Sequence, residues 1–114
     1  MSDKAIDSVV KSKNIGNYKR HFLLCTGPKC IDEDTGMQVW AYLKKRIKEE
    51  NIESSCYRSK VGCLRICIKG PIALVYPEGT WYKLVDEKAV DEIIEEHIKG
   101  GRPVEKYKIA ENPL

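Results

Sequence analysis

Short apolar runs alternate with glycine-, proline- and charge-rich stretches along this chain, and the pattern predicts an alternation of strands and helices. Lys19 to Leu24 carries the run Phe22-Leu23-Leu24, stops at Cys25 and predicts a first strand. Thr26 to Asp34 mixes glycine, proline and charges and reads as a loop. From about Thr35 to Glu50 the period becomes helical. Met37, Trp40, Leu43 and Ile47 recur at spacings of three and four and form one apolar stripe, with Lys44, Lys45, Lys48 and Glu49 facing water. Asp34 or Thr35 is the expected N-cap. Glu53 to Lys60 predicts a second, half-buried strand. After Gly70-Pro71, Ile72 to Tyr76 predicts a buried strand, Pro77 to Thr80 a turn, and Trp81 to Val85 its antiparallel partner. Asp86 caps a second helix reaching about Lys99, with Val90, Ile93, Ile94 and Ile98 inward, and Gly100-Gly101 ends it.

The order strand, helix, strand, strand, strand, helix predicts an α/β domain of thioredoxin-like type. Its first strand–helix–strand unit fits a right-handed crossover between parallel strands. The expected architecture is a mixed four-stranded sheet with two main helices and two cysteine-bearing loops at one end of the sheet. Residues 1–18 are expected as a polar, solvated arm, 19–99 as the domain, and 100–114 as an irregular tail. Neither an internal repeat nor a low-complexity segment interrupts this.

Composition narrows the class. At 114 residues the chain is one domain, and 42% apolar against 32% charged residues suits a globular protein in water. Its net charge of +3, from 20 basic and 17 acidic residues, is too balanced to indicate nucleic-acid binding. No stretch approaches the roughly 18 consecutive apolar residues of a membrane span. Met1 to Asn17 is polar and lysine-bearing, unlike a signal peptide, so a cytoplasmic location is expected. In that compartment clustered thiols hold metal or do redox chemistry more often than they form disulfides.

Four of the five cysteines form two tight pairs: Cys25 and Cys30 with four residues between them, and Cys63 and Cys67 with three. Both pairs sit in loop-like sequence, about 30 residues apart along the chain. Thiolates bind soft metals and iron–sulfur clusters because sulfur is polarizable and the deprotonated group is charged. A [2Fe–2S] cluster takes two thiolates per iron, which two pairs supply directly, and each local pair is expected to serve one iron. The same thiols have other uses. Structural zinc also takes four cysteines, though its pairs are commonly two residues apart. A thiol–disulfide enzyme wants Cys-x-x-Cys at a helix start, and this chain has none. Four separately buried cysteines are the remaining reading.

Neighbouring residues add detail. Gly27, Gly62 and Gly70 allow close backbone approach to a cluster. Lys29, Arg58, Lys60, Arg65 and Lys69 crowd the region and would favour the reduced state of a cluster whose formal charge goes from about −2 to −3, or else form an ordinary solvated surface. Cys56, outside both loops, is expected as a half-buried packing residue rather than a substitute ligand or reactive thiol. His21 is not needed as a ligand, and His97 is explained by the dipole at a helix end. Met37 and Trp40 are expected in the core. One of Trp81 and Tyr82 should face inward and the other outward, where it could join a docking or dimer surface.

Three segments, His21 to Cys30, Val61 to Cys67 and Gly70 to Tyr82, resemble the thioredoxin-like [2Fe–2S] ferredoxins, relatives of the small iron–sulfur subunit of respiratory NADH dehydrogenases. The likeness runs from about His21 to Ile98. It rests on Cys-x3-Cys, then Gly-Pro, then Val75-Tyr76-Pro77-Glu78-Gly79-Thr80-Trp81-Tyr82. Plant-type ferredoxins share the first gap but continue Cys-x2-Cys, which this chain does not. The resemblance implies a thioredoxin-like fold, one [2Fe–2S] cluster on Cys25, Cys30, Cys63 and Cys67, and often a homodimer. Some members have a longer first loop; this chain has four residues between Cys25 and Cys30, closer to the respiratory subunit's spacing.

The expected function is therefore electron transfer: one electron carried on a [2Fe–2S] cluster between a reductase and an acceptor enzyme, without substrate turnover. A redox-sensing or electron-relay subunit of a larger complex is an alternative. A zinc-stabilised interaction module is another.

Overall fold

The computed structural model describes residues 3–114. The first two residues of the expected arm lie outside the described residues. Its elements are α1 (Asp3–Ser12), β1 (Arg20–Cys25), α2 (Glu33–Glu49), β2 (Cys56–Val61), β3 (Ala73–Tyr76), β4 (Thr80–Tyr82), α3 (Glu87–Glu92) and β5 (Lys108–Glu111). A π-helical segment, Ile93–Lys99, continues α3 directly.

One five-stranded sheet has the order β2-β1-β3-β4-β5. β1 and β2 are parallel, in register from Arg20↔Cys56 to Cys25↔Val61, and are joined through α2 as the crossover rule requires. β1–β3, β3–β4 and β4–β5 are antiparallel.

The core lies between the sheet and the helices α2 and α3. Phe22 and Leu24 of β1, Val75 of β3 and Tyr82 of β4 meet Leu43 and Ile47 of α2 and Val90, Ile93 and Ile94 beyond them, all fully buried. Burying each such side chain stabilises the fold by about 1.5–3 kcal/mol. At the outer seam Arg46 of α2 donates from Nε to Asp91 Oδ1 at 2.8 Å, and the Tyr42 hydroxyl donates to the same carboxylate.

Several expectations need correction. The sheet has five strands, not four. The fifth comes from the tail expected to be irregular, where Val104 and Tyr107 are buried and residues 108–111 pair with β4. Alternation over four residues is too brief to separate from loop sequence when polar residues supply most of it. The polar arm holds a ten-residue helix, an element not anticipated from the sequence. Ile6, Val9 and Val10 have helical spacing, but none of its residues is buried, so the stripe gave no tertiary signal. α2 starts earlier than expected because Asp32 is the cap, its carboxylate accepting from the Thr35 amide at 2.9 Å. Its inner stripe is Gly36, Val39, Leu43 and Ile47, whereas Met37 is 40% exposed and Trp40 only partly buried.

Candidate metal centre

Parallel pairing of β1 and β2 brings their C-terminal ends side by side, and both cysteine loops leave from there. Cys25 is the last residue of β1 and stands opposite Val61, the last of β2. The first loop runs from Thr26 through Cys30 into α2. The second, from Gly62 to Pro71, returns into β3. It begins and ends against Cys25: the Thr26 amide donates to Val61 O at 3.0 Å, and the Cys25 amide donates to Ile72 O at 2.9 Å. The second loop therefore leaves from one side of Cys25 and comes back on the other, because β1 pairs with β2 on one edge and β3 on the opposite edge.

Within this frame Cys25 and Cys30 are buried and adjacent, and the Cys30 thiol lies 3.8 Å from Cys25 O. Burial first, and then Cys25 beside it, push the Cys30 thiol up to about 11. Ile72 completes the small buried cluster, with Ile31, Val61, Leu64, Ile66 and Trp81 packed around it. Two contacts tie the second loop to this pair. The Cys25 thiol lies 3.8 Å from Gly62 O. Gly70 is pressed on Cys30, where an added Cβ would stand 2.4 Å from its carbonyl oxygen and 2.7 Å from its Cβ.

Cys63 and Cys67 are exposed on the second loop. At Arg65 the chain takes φ +69, a left-handed turn, and its amide donates to Cys63 Sγ at 3.1 Å. An amide aimed at a cysteine sulfur stabilises a thiolate and tunes any metal it binds. Among the described residues no three metal-ligating side chains gather closely enough to hold an ion. The loops thus adjoin, the first sulfur pair is assembled, and the second pair lies outward. Four soft donors on two touching loops, with apolar walls and a glycine at the closest approach, fit a four-thiolate centre in chemistry. This structure does not converge all four sulfurs.

Other candidates resolve separately. Cys56 is buried in the main core, and burial pushes its thiol up to about 11. His21 Nε2 hydrogen-bonds Ser59 Oγ at 2.8 Å, and its ring packs edge-on to Tyr18 and Tyr57, so its nitrogen is used within the protein. Arg58 departs from expectation: its guanidinium lies over Trp40, 5.8 Å from the ring centre, on the α2 side of the sheet. Trp81 is half-buried and Tyr82 fully buried, as their alternation predicts. His97 is fully buried and paired with Tyr82 and Glu78, a role that helix-end electrostatics does not describe. A buried histidine near the end of an apolar helix stripe was the signal available for it.

A thioredoxin-like sheet with paired cysteines in both loops at the end of its parallel strands defines a class of iron–sulfur protein, and comparison with known proteins narrows it. No protein-family model matches the chain. A 2Fe-2S ferredoxin of Aquifex aeolicus (strain VF5) is 38% identical over 81 residues, 71% of this chain and 73% of that protein. One of Clostridium pasteurianum is 31% identical over 100 residues, covering 82% of this chain and 98% of that protein. The solved thioredoxin-like [2Fe–2S] ferredoxin of Aquifex aeolicus superposes with a TM-score of 0.75 and 28% identity, over 85% of this chain and 96% of the other. Two further structures of that protein carry single Cys→Ser substitutions at positions four apart, the separation of Cys63 and Cys67 here. The chain belongs to the thioredoxin-like [2Fe–2S] ferredoxin family.

Proposed function

We propose that this protein is an electron carrier whose Cys25, Cys30, Cys63 and Cys67 hold one [2Fe–2S] cluster, with no substrate turnover of its own. The observation that carries the ligand assignment is the contact of the two loops at both ends of the second one, Gly62 against Cys25 and Gly70 against Cys30. When bound, the cluster supplies a one-electron donor and acceptor. Cys25 and Cys30 form the inner, water-excluded pair, and Ile72 and Trp81 line that side. Cys63 and Cys67 form the outer pair, next to solvent and partners. The Arg65 amide stabilises charge on Cys63.

The redox partners are a reductase and an acceptor enzyme, which electron carriage between two proteins requires. A homodimer also fits. On the sheet face away from α2 and α3, half-buried His21, Leu23, Tyr76 and Trp81 offer an apolar and aromatic surface. Free thiols are kept reduced in the cytoplasm and so stay available as ligands there, which supports that location. Among the described residues no helix is long and apolar enough to cross a membrane.

Anaerobic purification followed by iron and sulfide analysis, absorption and EPR tests the assignment. The expected result is two irons and two sulfides per chain (the stoichiometry of a [2Fe–2S] centre) and an EPR signal appearing on dithionite reduction. A colourless protein holding one zinc would overturn it.

A further inference from the structure

The cysteine end of the molecule gathers positive charge. Lys29, Lys60, Arg65 and Lys69 surround the two loops and are all exposed. Among the described residues none of the four takes part in an ion pair. Arg20, Arg46 and Lys99, by contrast, are each held by carboxylates: Arg20 by Glu78, Arg46 by Asp91 and Glu50, Lys99 by Glu50 and Glu95. From Lys60 to Lys69 the chain has three cations and no acidic residue. Glu33 lines a shallow groove together with Lys60, Gly62 and Met37, and Asp86 follows Leu84, its amide donating to Leu84 O at 2.9 Å.

Apolar side chains stand within this rim. Ile68 is 69% exposed and Leu84 46% exposed. The Leu84 amide donates to Lys69 O at 2.8 Å, which brings Leu84 to the end of the second cysteine loop. Two large apolar side chains placed together among cations offer a contact patch that a partner can cover. A second copy of this chain is a poor cover here, since its own cations would meet these.

We infer that the tip of the second cysteine loop, Arg65 to Lys69 with Leu84, is the docking surface for an electron-transfer partner whose contact face is apolar at its centre and ringed by carboxylates. The inference rests on the proposed cluster reading, because it is the nearness of exposed Cys63 and Cys67 that makes this surface the point of electron exit and entry. The cations form the rim, so partner carboxylates meet them before they meet the negative centre. Ile68 and Leu84 supply the contact that survives when salt screens the charges.

The test uses oxidised, cluster-loaded protein and two redox proteins as probes, an acidic cytochrome of the b type and a basic cytochrome of the c type. Binding is followed by NMR titration, so no electron transfer is needed. The acidic cytochrome is expected to bind at low salt and weaken as salt rises, and the basic one to bind at least about tenfold more weakly. Lys29→Glu with Lys69→Glu should weaken the acidic complex by about tenfold or more, and the milder Lys29→Gln with Lys69→Gln by less. Ile68→Ser should weaken it severalfold at high salt as well. Lys11→Glu, on α1, should leave it unchanged.

Equal binding of both cytochromes, absence of salt dependence, or an equal effect of Lys11→Glu would overturn the docking surface. Each of these is read on protein already shown to contain iron. A preparation without iron overturns the electron-carrier reading instead, so the two failures are distinguishable.

Discussion

Tyr82 and His97 share a 2.7 Å hydrogen bond between the phenol oxygen and Nδ1, buried in the middle of the fold. The Val104 amide already donates to that oxygen at 3.0 Å, so the phenol sends its own hydrogen to Nδ1. His97 then carries its proton on Nε2 and donates to Glu78 Oε1 at 2.7 Å. Arg20 grips both oxygens of Glu78, at 3.1 and 2.9 Å. One chain of donors thus joins β1, the β3–β4 turn, β4, the π-helical segment and the tail, and selects one neutral tautomer of His97.

Removing a single member of that chain leaves the others buried without partners. Tyr82→Phe strands the Val104 amide and His97 Nδ1, and Glu78→Gln leaves Arg20 without a countercharge and with one acceptor oxygen in place of two. Each is expected to lower stability by about 1–3 kcal/mol. Urea denaturation at pH 7 measures the loss, and a change within a few tenths of a kcal/mol would refute the network's importance.

Acid should weaken the fold in two windows. Burial lowers the His97 pKa below its ordinary 6.5, against the pull of Glu78, and burial lowers His21 likewise. Below that pH the unfolded chain binds more protons than the folded one, so stability falls with falling pH. Burial opposes ionisation of Glu78, but its bonds to Arg20 and His97 prevail and bring its pKa from 4.5 down to about 2. Its contribution is complete above 4.5 and is lost progressively towards 2. Urea midpoints are therefore expected to decline from pH 7 to 5.5 and more steeply from 4.5 to 3, and a flat profile would contradict both shifts.

The fifth cysteine separates packing from ligation. Cys56→Ser should keep the visible spectrum and iron content, while costing about 1–2 kcal/mol for a hydroxyl placed in an apolar core. Serine at Cys25, Cys30, Cys63 or Cys67, one at a time, should reduce bound iron or shift the spectrum. Iron analysis and absorption compare the five variants, and iron loss only in Cys56→Ser would reverse the ligand assignment.

Gly70 has no room for a side chain. Its missing Cβ would lie 2.4 Å from Cys30 O, so Gly70→Ala must push the second loop away from the first. Lower iron content and a reduced melting temperature are expected. Gly36→Ala, whose Cβ would meet Thr26 O at 2.2 Å from the side of α2, should displace the first loop similarly. Lys11→Ala, on the exposed helix α1, serves as the control and should load normally.

Much of this architecture was legible because it is written in local periods. β1, α2, β3 and β4 follow from runs and stripes that reappear as the buried residues Phe22, Leu43, Val75 and Tyr82. The cysteine pairs were legible because ligand spacing is itself a local property. β5 and α1 were not: one is recognised only by the strand it pairs with, and the other buries nothing. Met37 was misread because a helical stripe defines a face only to within one residue, and the sheet took Val39 instead.

By itself the amino-acid order determined the succession of strands and helices, the four sulfur donors and the family motif, since each depends on residues near one another in the chain. Tertiary structure alone decided which donors stand inside and which outside. Cys25 and Cys30 are enclosed because β1 is flanked on both edges, while Cys63 and Cys67 ride a loop with no strand beyond it. It also decided the partners of His97 and the unpaired state of the cations around the loops. Such facts belong to residues distant in sequence, and only the packing of the sheet against its helices brings them together.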